Sequence, residues 1–220
     1  MDILQELNSY IDNFNSNYSF YFDIDSIRVE FSKQHKLSKL KKIGKWKKLQ
    51  KNSNILHKLK KRLSDSEITT AYRLENYNIY FYNLQDAPKY RKAIMVIFGL
   101  KQYNSPKPPI DIIKSILSIL KDVSNIDICF DTRFKPDIKK LSKYYSIKQY
   151  ITKQGVKTET FYINKPDILG IEKITIYNKS YKNILKYSLW RFEAKIVIHN
   201  IKDLYMPLCE LKELIDISLK

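Results

Sequence analysis

The chain has 220 residues, 44% of them hydrophobic, which suits one globular domain with at most a small appendage. Its net charge of +17 predicts a polyanionic partner, either nucleic acid or an anionic membrane surface. No apolar run approaches the roughly 20 residues of a membrane span. Cys129 and Cys209 form neither a disulfide framework nor a zinc-binding spacing. The acidic, polar start is unlike a signal peptide, so we expect a cytoplasmic protein.

Residues 1–65 predict a helix, a strand and then a strongly basic stretch. From Lys33 to Arg62 there are thirteen Lys or Arg residues and no acid. An apolar stripe that breaks near Asn52 predicts two basic amphipathic helices. A merely solvated helical face is one interpretation, but such a face normally carries acids at i,i+4, so we also expect contacts with DNA phosphates. The expected contacts are Lys39, Lys41, Lys42, Lys45, Lys47, Lys48, Lys58, Lys60, Lys61 and Arg62.

Residues 66–220 predict an α+β catalytic domain, either separate from the N-terminal segments or continuous with them. Two β-rich runs predict a hairpin across residues 84–88, and residues 110–123 have a helical period. Strands are predicted in NIDICFDT, TETFYI, IEKITIYNK and LWRFEAKIV, with helices in PDIKKLSKYY and in the last 21 residues. This order predicts an antiparallel or mixed central sheet with helices mainly on one face. No internal repeat is visible.

Two strand-like runs between residues 171 and 197 carry polar faces. In the first run, alternation places Ile171, Lys173, Thr175 and Tyr177 on one face. In the second, Arg191, Glu193, Lys195 and Val197 lie opposite Trp190, Phe192, Ala194 and Ile196. We expect the two strands to pair and to offer a carboxylate and cations to a phosphodiester.

Asp127 and Asp131 share a face of the NIDICFDT strand with Cys129. Burying an unpaired carboxylate costs several kcal/mol, so either this end of the strand is exposed, Arg133 pairs with Asp131, or the acids bind a metal. Hard oxygen ligands suit Mg²⁺ or Mn²⁺, with Glu159 and Glu193 as further ligands. For Glu193, the alternative is an ion pair with a neighbouring cation of the strands. No glycine-rich phosphate loop is present, which excludes a P-loop ATPase.

The succession NIDICFDT, ETFYIN, IEKITIYNKSYKN and LWRFEAKI resembles the replication-initiation-factor family of rolling-circle plasmids. This is the trans-acting Rep type, related to filamentous-phage replication proteins, and the similarity covers about residues 90–200. The resemblance implies a HUH-endonuclease or Rep-like fold, although no His-x-His pair is present. It also implies a protein that nicks one DNA strand at an origin hairpin, becomes attached through a tyrosine and leaves a 3′-OH for rolling-circle replication.

The resemblance also implies roles for individual residues. Asp127, Asp131 and Glu193 correspond to the metal-binding acids, and Lys179 would lie beside the scissile phosphate. Tyr177 lies in the tyrosine region of the active site, with Tyr181 and Tyr162 as alternative nucleophiles and Arg191 as a further DNA contact. Expected partners are origin DNA, as a hairpin or single strand, and a host helicase as a candidate.

Three other functions fit parts of the sequence. Pro166-Asp167 followed by Glu193-Ala194-Lys195 has the P-D…E-x-K form of metal-dependent nucleases that use water. A nucleic-acid-binding protein without enzymatic activity would use the basic helices for phosphates and the tyrosines for stacking on single-stranded bases. A membrane-surface role for residues 33–63 is the third alternative.

Overall fold

A computed structural model of the chain describes residues 3–63, 68–84, 92–101 and 107–220. The chain folds into two compact units. The first comprises residues 1–6 and 26–124, and the second comprises residues 7–25 and 125–220. This division differs from the predicted boundary after residue 65, because strands that follow this boundary pair with strands that precede it.

The first unit contains an antiparallel sheet with the strand order β2-β3-β4-β5-β1. Helix α1 (Ile3–Tyr18) and strand β1 (Asp23–Ser32) begin the chain, and each has residues in both units. The further elements are α2 (Lys33–Leu40), β2 (Trp46–Lys48), α3 (Asn54–Leu63), β3 (Ile68–Leu74), β4 (Ile79–Leu84), β5 (Lys92–Phe98) and α4 (Ile110–Leu120).

Helix α3 is amphipathic, as its apolar spacing predicts. Its leucines Leu56, Leu59 and Leu63 join a buried cluster that includes Val96 and Phe98 of β5. Met95 and Ile97 alternate with these residues along the strand and are fully buried too. Both faces of this sheet are therefore covered.

The first of the two predicted basic helices ends early, at Leu40. Trp46 instead begins the short edge strand β2, because its ring packs against Phe81 at 4.9 Å and its indole N–H donates to the Leu40 carbonyl at 3.0 Å. Gly44 lies in the connecting turn. A Cβ at this position would come within 2.9 Å of the Glu75 carboxylate, which lies at the end of a flexible side chain and would have to move aside.

The run that follows residue 68 is itself a hairpin rather than a single strand. Strands β3 and β4 pair across a turn in which Glu75 adopts a φ of 46°. The predicted antiparallel pairing of the two β-rich runs is confirmed by β4 and β5. Residues 85–91, which include part of the predicted turn, lie outside the described residues.

The second unit has an antiparallel sheet with the order β7-β8-β9-β10-β6, and the predicted α+β class is confirmed. Its elements are β6 (Asn125–Thr132), α5 (Ile138–Leu141), β7 (Ile147–Ile151), β8 (Lys157–Asn164), β9 (Ile171–Asn178), α6 (Lys179–Asn183), β10 (Trp190–Val197), a 3-10 helix (Ile201–Leu204) and α7 (Tyr205–Leu219). Strand β7 and helix α6 are additions to the predicted elements. In the described part of the chain, no helix is both long and apolar enough to cross a membrane.

One face of the second sheet is apolar and covered. Phe130 of β6 lies opposite Phe192 of β10, and the ring of Phe20 stacks on Phe130 at 4.5 Å. Lys212 of α7 lies over the Phe20 ring, so the long C-terminal helix is on this side. The other face carries the polar residues, as the alternation in β10 predicts.

The two units repeat one topology that the sequence does not reveal. In each, the first strand pairs with the last strand, and the remaining strands follow in order. The helix after the first strand contacts the helix after the last strand in both units, as α2 with α4 and α5 with α7. Two insertions distinguish them. Helix α3 precedes the third strand of the first unit, and α6 precedes the last strand of the second.

Candidate active site

The polar face of the second sheet is built from three adjacent strands in regular register. Strand β10 lies between β6 and β9, and directly opposed residues share a face of the sheet. The resulting rows are Asp131, Arg191 and Tyr177; then Cys129, Glu193 and Thr175; then Asp127, Lys195 and Lys173. The predicted pairing of the two strands that contain Tyr177 and Glu193 is therefore confirmed.

The predicted face of Ile171 is wrong. A register shift between Lys195 and Ile196 makes Ile196 pair with Ile171 and skips Glu172. Ile171 therefore shares the buried apolar face with Ile196. An extra residue in one strand reverses the alternation beyond it.

Arg191 joins two carboxylates at the end of the polar face. Its guanidinium donates from Nε and Nη2 to the two carboxylate oxygens of Asp131, at 2.6 and 2.7 Å. A third bond runs from Nη1 to Asp25 at 3.0 Å. Such forked pairing is the strongest geometry available to an arginine and a carboxylate. Asp25, at the start of β1, is not among the predicted site residues. The signal that could have indicated it is a carboxylate next to apolar residues in a strand.

Burial decides what Arg191 can do. The residue is only 2% exposed, so it does not offer its guanidinium to DNA at the surface. The predicted DNA contact of Arg191 is therefore wrong. Burial by itself lowers the pKa of Arg191, but its hydrogen bonds to Asp131 and the nearby charge of Asp25 raise this pKa well above its ordinary value. Arg191 is therefore a fixed positive charge within the polar face.

Lys179 adds a second cation beside Asp131. It is the first residue of α6, is 4% exposed, and its Nζ lies 3.2 Å from Asp131 Oδ2. Burial, followed by the charge of Arg191, lowers the pKa of Lys179 below its ordinary value, while Asp131 opposes the shift. The structure thus brings Lys179 into the same cluster as Arg191 and Asp131.

Tyr177 donates its hydroxyl to Glu193 across the β9–β10 pair. The phenol oxygen lies 3.2 Å from Glu193 Oε2. Burial and then the negative charge of Glu193 raise the pKa of Tyr177 far above its ordinary value. The tyrosine is therefore neutral at physiological pH and holds its proton against a carboxylate. This hydrogen bond couples the predicted nucleophile to a group that can accept its proton.

Lys173 and Lys195 lie on the far side of Glu193. Burial lowers the pKa of Lys173, although Glu193 and Asp127 favour its charged form. Lys195 forms an ion pair with Glu172. Tyr162, one of the alternative nucleophiles, faces Lys173, whose ammonium lies 4.4 Å from the centre of its ring. Tyr162 thus contributes a cation–π contact to this part of the face.

Glu159 and Tyr181 lie away from this cluster. Glu159 of β8 is opposite Asn178, in the row that contains Trp190, and therefore lies on the other face of the sheet. There it accepts hydrogen bonds from Asn178 at 2.6 Å and from Lys135 at 3.3 Å. Tyr181 projects from α6 with 88% of its surface exposed.

The acids do not fit a divalent metal in this arrangement. Among the described residues, which include all four predicted ligands, no group of three or more His, Cys, Asp or Glu residues could hold a metal ion. Arg191 occupies both oxygens of Asp131, and Glu159 lies on the opposite face. Mg²⁺ and Mn²⁺ need several hard oxygen ligands at one point. Arg191, Lys179 and Lys173 supply positive charge to this site.

The thiol of Cys129 lies in the middle row but is not a nucleophile. Burial raises the pKa of Cys129 well above its ordinary value, with Arg191 opposing and Asp25 favouring the shift. A thiol in this state carries no negative charge at neutral pH. Cys129 therefore packs beneath the charged side chains.

The basic stretch lies entirely in the first unit. Nine of the ten expected DNA contacts in this stretch are exposed, and Lys60 is half-buried. Lys47 and Lys48 lie on the edge strand β2, and Arg62 lies over the Phe98 ring at 3.7 Å. Exposure makes these side chains available to phosphates, and their contact with DNA stays a prediction.

Comparisons with known proteins give a similarity at the level of structure. No family model matches the chain, and no curated protein matches it. Among solved structures, the rolling circle replication initiator protein from Geobacillus stearothermophilus is similar over 89% of this chain and 78% of that chain, at 12% sequence identity and a TM-score of 0.48.

Proposed function

We propose that this chain is a DNA-nicking protein that initiates rolling-circle replication and uses Tyr177 as its nucleophile. The observation that carries the proposal is the hydrogen bond from the Tyr177 hydroxyl to Glu193, on a face that also holds Arg191 and Lys179. A phenol attacks a phosphodiester only when its proton is accepted and the phosphate charge is neutralised. The four sequence segments that resemble replication initiation factors, and the net charge of +17, support the same activity.

The reaction follows from these positions. The Tyr177 oxygen attacks the phosphorus as its proton passes to Glu193, so that a tyrosine–phosphate bond forms and the bond from phosphorus to the 3′ oxygen breaks. The released 3′ oxygen takes a proton from water. General-base assistance of this kind contributes about 10²- to 10⁴-fold to a rate. Lys173, which is partly exposed, stabilises the negative charge of the reacting phosphate, and the buried Lys179 adds positive charge from beside Asp131 without contacting the phosphate.

The lowered pKa values of these two lysines have a chemical use. A partly desolvated ammonium interacts more strongly with a phosphate than a hydrated one does, because less water screens the charge. Arg191 has a different role, since Asp25 and Asp131 hold its guanidinium. It positions Asp131, and through Asp131 it positions Lys179.

The test is a covalent-adduct assay. The protein is incubated with a labelled hairpin oligonucleotide or a supercoiled plasmid, in Mg²⁺, in Mn²⁺ and in a chelator, and is resolved on denaturing gels. We expect a protein–DNA adduct that is lost in Tyr177→Phe and retained in Tyr162→Phe. An adduct retained in Tyr177→Phe and lost in Tyr181→Phe would move the nucleophile to α6.

The other outcomes separate the alternative functions. Cleavage without an adduct would indicate a nuclease that uses water, and binding without cleavage in any of the three conditions would indicate a binding protein. An adduct that forms only with a metal would show that the acids rearrange around an ion when DNA binds.

A further inference from the structure

Four large apolar side chains are exposed at one end of the second sheet. They are Phe134, Tyr181, Ile184 and Tyr187, with exposures of 74%, 88%, 92% and 47%, and we call them the aromatic patch. Phe134 follows β6, and the other three lie between β9 and β10. The two segments meet at the same end of the sheet, where Trp190 pairs with both Thr132 and Asn178. Tyr177 lies one residue before Asn178.

Hydrogen bonds close the connection from β9 to β10, although three of its large apolar side chains are exposed. The backbone N–H groups of Lys179 and Ser180 donate to the Leu189 carbonyl at 2.8 and 3.1 Å, which closes the loop. Ile184 ends α6 with a φ of 53°, a conformation that a β-branched residue rarely adopts. Strained residues of this kind persist where the surrounding structure holds them, often at ligand sites. The backbone conformation and hydrogen bonds of the loop therefore hold these apolar side chains in contact with water.

Cations lie beside the aromatic patch. The Arg133 guanidinium lies 5.7 Å from the centre of the Tyr187 ring. Lys135, the residue after Phe134, pairs with Glu159 at 3.3 Å. Lys186 is exposed in the same loop. Residues 132–136 and 179–189 contain no Asp or Glu. Exposed rings with positive charge between them match a ligand that has flat apolar faces joined by phosphates.

We propose that the aromatic patch is a subsite on which unpaired bases of single-stranded DNA stack. Proteins that hold single strands combine a positive surface with aromatic rings, and the stacking tolerates any sequence because every base has a π-face. In a duplex, stacking between neighbouring base pairs covers these faces, so the patch discriminates single strands from double strands. The location of the reacting bond next to this subsite rests on the proposed function of Tyr177.

Binding by fluorescence anisotropy tests the subsite without any cleavage. The probe is a labelled oligothymidine, with a duplex of equal length as the comparison. A variant carrying Phe134→Leu, Tyr181→Leu and Tyr187→Leu should bind the single strand about tenfold more weakly or worse, while its duplex binding changes little. The matched variant with Phe134→Tyr, Tyr181→Phe and Tyr187→Phe keeps the rings and should bind like the natural protein.

Two exposed tyrosines elsewhere in the unit provide a further control. Tyr21→Leu and Tyr144→Leu remove exposed rings outside the patch and should leave single-strand binding unchanged. Unchanged single-strand affinity in the leucine variant would overturn the proposal. An equal loss for single strand and duplex would overturn it as well, because it would show a general loss of charge or folding rather than of stacking.

The subsite and the nicking activity fail separately. If the leucine variant loses single-strand binding but the natural protein forms no covalent adduct, the subsite stands and the proposed chemistry is wrong. If the adduct forms and the leucine variant binds normally, the chemistry stands and the subsite is wrong. Retention of both binding and adduct in Tyr181→Phe would assign the role of Tyr181 to its ring rather than its hydroxyl.

Discussion

Replacing Arg191 with methionine removes the guanidinium that joins Asp25 and Asp131. The Arg191 and Asp25 side chains are only 3% and 6% exposed, so water replaces little of what is lost. Removing one partner of a buried ion pair costs about 3–5 kcal/mol, since it leaves an uncompensated charge. Asp131 is more exposed and keeps Lys179 at 3.2 Å, so we expect the lower end, a loss of about 3 kcal/mol in the free energy of unfolding.

Urea denaturation measures this loss as a lower midpoint with an unchanged slope. Arg191→Lys keeps the charge but cannot form the forked pair, so its loss should be smaller, about 1.5–3 kcal/mol for a missing charged hydrogen bond. Arg133→Met is the matched control, because this exposed arginine should change stability by less than about 0.5 kcal/mol. A loss below about 1 kcal/mol in Arg191→Met would refute the reasoning, because the pairing of Arg191 with Asp25 and Asp131 would then contribute no more than a surface ion pair.

Three further predictions concern the proposed site and the basic stretch. Glu193→Gln should slow adduct formation by about 10²- to 10⁴-fold and leave DNA affinity unchanged, and an unchanged rate would remove Glu193 from the reaction. The raised pKa of Tyr177 means that only the unfolded chain ionises this phenol near pH 10, so stability should fall as pH rises through that value. Denaturation of Tyr177→Phe across the same range should show a smaller fall, and identical curves would contradict the burial of its hydroxyl. Replacing Lys41, Lys42, Lys47 and Lys48 with glutamine should flatten the salt dependence of DNA binding by about 0.7–0.9 in log–log slope for each lost phosphate contact, whereas Lys139→Gln with Lys143→Gln should not.

Period-two alternation was sufficient to predict much of the sheet that carries the site. The β6 segment is a strand over the predicted residues, and the polar face of β10 is the face that the sequence indicates. These predictions hold because each strand has one apolar face, and a strand can bury that face in only one orientation. Glu193 and Tyr177 therefore share a surface once their strands pair.

The predicted metal site depended on more than alternation. It required Asp131 and Glu193 to converge, but the register sets Arg191 opposite Asp131, and the guanidinium takes both carboxylate oxygens. Glu159 was assigned to the same site although its position in β8 gives it the other face. The register between strands that are distant in sequence is set by tertiary packing. A shift of one residue in that register gives every side chain a different cross-strand neighbour.

The sequence by itself determined the α+β class, four of the five strands of the second unit and the concentration of positive charge between Lys33 and Arg62, because these follow from local periodicity and composition. Only the tertiary structure decided that two units repeat one topology, that Asp25 pairs with Arg191, and that the Tyr177 hydroxyl donates to Glu193. The physical reason is that strand order and register are chosen by packing across the whole chain. Local propensity specifies which residues form a strand, and long-range pairing specifies which side chains face one another.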